Sequence, residues 1–156
     1  MSIREVPVPS VGRREVRIGV AFSGVGRWDP GMRPAGQDPF VVPGTDGAGV
    51  VEATGTRVRR LRVGDRVYSY SYENPKGGFH AQQVVVDAKK VARIPRGFDT
   101  ESAGAVATTG LTALQGVDDA LHLKKGESVI IHGASGGVGT LALQFAKWRG
   151  ARSGSS

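Results

Sequence analysis

Residues 129–147 read VIIHGASGGVGTLALQFAK: an apolar run, a stretch of mostly glycine and alanine, then an apolar pattern at helical spacing. Val129 to His132 predict a strand, because β-branched residues in an unbroken apolar run suit a strand covered on both faces. From there Val138, Leu141, Ala142, Phe145 and Ala146 recur at intervals that place them on one side of an α-helix. The prediction is a strand, a tight glycine turn and a helix. Such a turn leaves the first N–H groups of the helix pointing outward, where aligned peptide dipoles add partial positive charge, so a phosphate fits there. A Cβ at Gly136 or Gly137 would hold a pyrophosphate off the backbone, and one at Gly139 would hold the helix off the strand.

The glycines stand at 133, 136, 137 and 139, one residue longer than the G-x-G-x-x-G dinucleotide fingerprint. A nucleoside-triphosphate loop is disfavoured, since no Gly-Lys-Ser/Thr closes the run and Thr140 follows Gly139 without a lysine. A dinucleotide is the better candidate. A tight turn with no ligand is the alternative.

The chain has 156 residues, 39% hydrophobic and 22% charged, enough for a globular domain with a real core. No apolar run has the length to cross a bilayer, and the start lacks the basic-then-apolar pattern of a secretory signal. A cytoplasmic protein with no membrane partner is expected. The absence of cysteine excludes disulfides, thiolate zinc sites and a cysteine nucleophile, and His80, His122 and His132 are too scattered to suggest a metal site. A net charge of +7 raises nucleic acid as a partner. The arginines are nonetheless dispersed, and the densest run, RVRRLRVGDR at 57–66, has no recognition-helix or aromatic RNA-binding pattern. It reads as a solvated basic face, and no nucleic-acid partner is expected.

Two regimes succeed one another along the chain. Up to about Pro95, the runs VRIGVAFSG, DGAGVVEATG, DRVYSYSY, AQQVVVD and VARIP are punctuated by glycine, proline and aspartate. That pattern predicts a small, irregular, mostly antiparallel β domain. Residues 100–121 are rich in alanine and leucine and predict helix, with Thr100 and Glu101 able to open it. Lys124 and Gly126 then lead into the strand at 129, in the sense of a doubly wound sheet. The residues after Gly150, ARSGSS, read as a tail or an interrupted chain.

Five motifs occur in order: VPGTDGAGVVEATG at 42–55, VGDRV at 63–67, KGGFHAQQVVV at 76–86, TTGLTALQ at 108–115 and HGASGGVGTLALQFAK at 132–147. Together they resemble the medium-chain dehydrogenase/reductase superfamily, and within it the zinc-free quinone oxidoreductase, or ζ-crystallin-like, branch. The resemblance implies an α+β and α/β organisation. A GroES-like catalytic domain at 1–97 precedes the first strand, turn and helix of a Rossmann domain at 98–150, with 151–156 as tail or truncation. It implies NADPH as cofactor, with NADH also admissible, a small-molecule substrate, and a homodimer in the full-length protein.

Site residues follow from the same resemblance. Gly133, Ala134, Ser135, Gly136, Gly137, Val138 and Gly139 form the cofactor loop. Thr108, Thr109 and Thr112 lie near the nicotinamide, the alternative for a threonine there being a helix-start hydroxyl. Arg27, Trp28 and Asp29 line the substrate cleft, where Trp28 offers a flat wall, a core tryptophan being the alternative. Zinc-dependent relatives hold their metal with a cysteine, a histidine beside a glutamate, and a later ligand. Gly26, Thr45 and Asp46 stand at the first three positions, so no zinc is expected and Thr45 joins the cleft. Tyr68, Tyr70 and Tyr72 alternate at strand spacing and read as sheet packing. His80 reads as structural and His132 as a satisfied buried imidazole.

No general acid stands out, and hydride transfer needs none in view. The usual N-terminal strand is expected to be shortened, and the chain to be roughly the N-terminal half of such an enzyme, not competent alone.

Overall fold

A computed structural model describes residues 3–31, 42–72 and 74–152. The five apolar runs become the five strands β1 (Glu15–Ser23), β2 (Asp46–Thr54), β3 (Arg66–Tyr70), β4 (Gln83–Asp87) and β5 (Val91–Arg93). They form one sheet in the order β4, β1, β2, β3, β5, with every pairing antiparallel, as the sequence predicts. The first and last strands of that order are joined by a single 3-10 turn of three residues, Ala88–Lys90. Opposite edges so close in sequence require the sheet to curl, and two register shifts in β1 against β2 supply local bends.

The concave side holds Val16, Ile18, Val51, Leu61, Val67, Phe79, Val84, Val86, Ala88 and Val91. In β3 the alternation is clear: Val67 and Ser69 are buried, whereas Tyr68 and Tyr70 on the other face are half-buried. Tyr68 packs on a second cluster of Ala48, Ile94 and Ala103, and Tyr72 is exposed. The arginine run does more than the solvated face expected of it. Arg60 donates to the carbonyls of Ala88 and Val91, Arg59 to those of Thr56 and Val58, and Arg66 to Phe98 O and Thr100 Oγ1. Three guanidinium groups thus satisfy carbonyls at strand ends and loops, which accounts for charge clustered on a turn.

Helix α1 runs from Thr100 to Gln115 and continues into a π turn at Gly116–Ala120; α2 runs from Gly137 to Trp148. The cap of α1 is Asp99, whose Oδ1 accepts from Ser102 N at 2.7 Å, and Thr100 instead receives Arg66. The helix opens at Thr100 with Glu101 in its first turn, as expected, while the capping bond itself comes from Asp99. Residues up to Ala107 and residues from Thr108 onward are two compact units. In the second, Asp118 of the π turn and Arg149 after α2 form a two-pronged pair, with Nε–Oδ1 at 2.7 Å and Nη2–Oδ2 at 2.5 Å.

The predicted strand at Val129–His132 is not realised as a ladder. Residues 128–131 have no strand partner among the described residues, Ile130 is 84% exposed, and His132 is exposed where a buried imidazole was expected. An apolar run becomes a strand only beside a neighbour that takes its N–H and C=O groups. The turn and helix that follow it do form.

Candidate functional site

The glycine turn lies in the second unit. Gly133 sits at φ +70°, the left-handed region, and its carbonyl accepts from Gly136 N at 2.9 Å, closing the turn. Gly136 caps α2 in an extended conformation without a side-chain bond, and the first turn carries no acidic residue. No carboxylate in that first turn therefore offsets the partial positive charge of the helix end. Ser135, Gly136, Gly137 and Val138 are exposed and Ala134 is half-buried.

Gly139 is buried, and a Cβ there would stand 2.2 Å from Gly133 O and 2.7 Å from Ala134 Cα. The close approach that glycine permits is thus to the start of its own turn rather than to a strand. A Cβ at Gly137 would meet the Thr109 methyl at 3.2 Å, so two of the expected residues, distant in sequence, face each other. Thr112 lies further along α1, exposed, with its hydroxyl donating to Thr108 O at 2.8 Å. Sequence reasoning missed Thr140, whose Oγ1 lies 2.9 Å from Gly136 O and 3.2 Å from Ala134 O and ties the helix back to the turn. A hydroxyl directly after the last glycine was the available signal.

The first unit brings Trp28 and Thr45 together. Trp28 Nε1 donates to Thr45 Oγ1 at 3.2 Å, and Thr45 Oγ1 lies 3.5 Å from Asp46 Oδ1. Thr45 and Asp46 are buried, Trp28 is 40% exposed, and Arg27 is exposed. A Cβ on Gly26 would fall 2.2 to 2.6 Å from three indole atoms, so the ring lies across the backbone of residue 26. Asp29 closes the turn beneath it: its Oδ2 accepts from Gly26 N at 2.6 Å, and its own N–H donates to Gly26 O at 3.2 Å. Asp29 is 3% exposed and its Oδ1 has no hydrogen-bond partner among the described residues. His80 Nε2 lies 3.0 Å from Gly24 O, which fixes that nitrogen as the protonated one, and 4.0 Å from Asp29 Oδ2. The approach of the half-buried His80 to the buried Asp29 was not foreseen, because they meet only through the fold. The substrate-cleft expectation of Arg27, Trp28 and Thr45 thus resolves into an assembled Trp28 and Thr45 with Arg27 at the surface.

A curled antiparallel sheet followed by a helix, a glycine turn and a second helix defines the class. Residues 12–96 match the alcohol dehydrogenase GroES-like domain. The chain belongs to that family, in the quinone oxidoreductase-like branch of the medium-chain dehydrogenase/reductase superfamily. Among curated relatives, a quinone oxidoreductase of Pseudomonas aeruginosa is 36% identical over 94% of this chain and 45% of its own. The pikromycin polyketide synthase component PikAII of Streptomyces venezuelae is 39% identical over 88% of this chain and 4% of its own length. Among solved structures, an alcohol dehydrogenase superfamily protein of Novosphingobium aromaticivorans matches with TM-score 0.86 and 34% identity, over 96% of this chain and 47% of that one. The CurK enoyl reductase matches with TM-score 0.82 and 25% identity, over 95% and 47%. The Escherichia coli quinone oxidoreductase complexed with NADPH matches with TM-score 0.79 and 27% identity, over 96% and 46%. The chain spans less than half the length of each.

Proposed function

We propose that the protein is an NADPH-dependent oxidoreductase that passes a hydride to a quinone or another electron-poor conjugated double bond without zinc, with NADH as a second admissible cofactor. The observation that carries the reading is the entrance to α2. Gly136 and Gly137 are exposed, no side chain caps the helix, and no carboxylate stands in its first turn. A β-carbon at Gly137 would fill the space beside Thr109. A diphosphate fits such a cradle, with Gly133 to Gly139 providing the turn and Thr109 and Thr112 flanking it. The bound dinucleotide supplies the hydride. The chain's own residues hold the diphosphate against backbone N–H groups and, in the first unit, present Trp28, Thr45 and Arg27 to the substrate. Solvent delivers the proton that accompanies the hydride.

The assignment keeps 1–97 as the GroES-like domain, supported by a family match that ends at residue 96, and 98–150 as the opening of the dinucleotide-binding domain. A homodimer of the whole protein in the cytoplasm belongs to the same proposal. Likeness to the CurK enoyl reductase favours a second reading, reduction of a thioester-activated alkene. Steady-state oxidation of NADPH by the whole protein separates the two. Turnover with a quinone and not an enoyl thioester supports the first, and the reverse supports the second. Cofactor binding with neither turnover leaves a dinucleotide-binding protein in place of an enzyme.

A further inference from the structure

We infer that the C-terminal end of α2 and the turn at 124–127 form a docking surface for an acidic, amphipathic helix of a partner protein. The surface lies a helix length, about 18 Å, from the glycine turn and stands apart from the proposed function.

Backbone bonds bring the two segments together. Gly126 N donates to Gly150 O at 2.8 Å, and Arg152 N to Glu127 O at 2.9 Å. A Cβ on Gly150 would stand 3.0 Å from Lys125 Cγ, so the Lys125 side chain flanks the helix end. Lys124, Lys125, Lys147 and Arg152 are exposed there and have no ion pair among the described residues. Cations at the end of a helix ordinarily serve its last carbonyls. Here backbone N–H groups already do so: Arg149 N donates to Phe145 O at 2.8 Å, Gly150 N to Lys147 O at 2.9 Å and Ala151 N to Ala146 O at 3.0 Å. Those carbonyls need nothing from the charged side chains, which face outward.

Trp148 gives the surface its apolar element. It is 71% exposed, and Arg149 Cζ lies 4.6 Å from its ring centroid. The same guanidinium holds both oxygens of Asp118, at 2.7 and 2.5 Å, so the stacked pair is ordered before any partner arrives. Tryptophan and arginine are the side chains that most often anchor a protein interface. Glu127 in the turn and Asp119 beside Asp118 are exposed as well. Carboxylates among the cations disfavour an unbroken run of phosphates, whether of a nucleic acid or of a lipid surface. They suit carboxylates spaced along a helix, with apolar side chains between them to cover Trp148.

The test uses Trp148 as its own reporter. The chain has two tryptophans, so Trp28→Phe leaves Trp148 alone in the emission. The probe is a synthetic amphipathic helical peptide with glutamates on one face and leucines on the other. Its titration is expected to shift Trp148 emission saturably, with binding about tenfold weaker as salt rises from about 0.05 to 0.5 M. Lys125→Glu is expected to weaken the peptide about tenfold and Lys125→Gln, which removes the charge without reversing it, about threefold. Trp148→Ala, read by anisotropy of the labelled peptide, is expected to cost about tenfold. Arg96→Glu makes the same charge change at an exposed residue of the sheet unit and is expected to leave binding unchanged. Circular dichroism accompanies each variant. An emission change without saturation overturns the inference, as does an equal loss in Arg96→Glu, which would assign binding to net charge. Equal or tighter binding of a single-stranded oligonucleotide or of phosphatidylglycerol vesicles overturns it too, in favour of a phosphate surface.

Discussion

The sheet unit and the unit from Thr108 onward use apolar residues in opposite ways. In the first, β-branched runs pair with one another, and Val16, Ile18, Val67 and Val85 reach zero exposure. In the second, Ala113, Val117, Gly139 and Ala146 are the buried ones among the described residues, while Ile130, Leu121, Leu143 and Trp148 are 84%, 57%, 48% and 71% exposed. Equal hydrophobicity in the sequence therefore gives unequal burial. The difference teaches that the first unit is held by its interior, and the second by specific polar and backbone closures: the Asp118–Arg149 pair, the Gly126 N to Gly150 O bond at 2.8 Å and the glycine turn itself.

The largest effect that would break this contrast is a core truncation. Phe79→Ala, at 1% exposure, is expected to destabilise the sheet unit by about 3–5 kcal/mol, whereas Ile130→Ala is expected to stay within about 0.5 kcal/mol. Urea titration followed by circular dichroism compares them, and similar losses would contradict the contrast. Next in size is Gly139→Ala, which forces a methyl against the backbone of Gly133 and Ala134. It is expected to destabilise the second unit by about 1–3 kcal/mol. Amide hydrogen exchange should show faster exchange in α2 with the sheet amides unchanged.

The smallest effect is on pH. The Arg149 guanidinium holds the Asp118 carboxyl below its ordinary 3.8, against a smaller opposing effect of burial. Burial pushes the Glu15 carboxyl up, but Lys76 and the Gly12 N–H outweigh it and leave the carboxyl below its ordinary 4.5. A group depressed in the folded state contributes stability that is fully present above its unfolded value and lost as pH falls through its folded one. Both contributions therefore persist at neutral pH and fade below about pH 4. Asp118→Asn should flatten the acid limb of stability in the second unit only, and Glu15→Gln in the sheet unit only, as read by hydrogen exchange across that range.

What was legible in the sequence follows the same division. The five strands could be read because each apolar run finds its partner within the chain, so local alternation and final burial agree. Val129–His132 carries the same signal but has no neighbouring strand among the described residues, and its pattern alone could not disclose that. The glycine spacing foretold the turn, down to the approach that Gly139 permits, although the backbone it approaches lies in the turn. Asp99 as cap was obscured by the adjacent Thr100, which shares its capping chemistry. In the substrate corner, Trp28 and Thr45 were recognised singly. Asp29 was read as lining the cleft and His80 as structural, but their approach to one another was not legible, because a turn closed on Gly26 and a histidine from beyond β3 share no sequence signature.

The central claim is that the side-chain-free entrance to α2 binds a dinucleotide diphosphate. Calorimetric titration of NADPH and NADH into this chain and into Gly137→Trp tests it most directly. The account predicts saturable heat with the wild-type chain, a dissociation constant at least about tenfold weaker in Gly137→Trp, and unchanged thermal unfolding of the sheet unit. Equal binding by both proteins, or no binding by the wild-type chain, would contradict it.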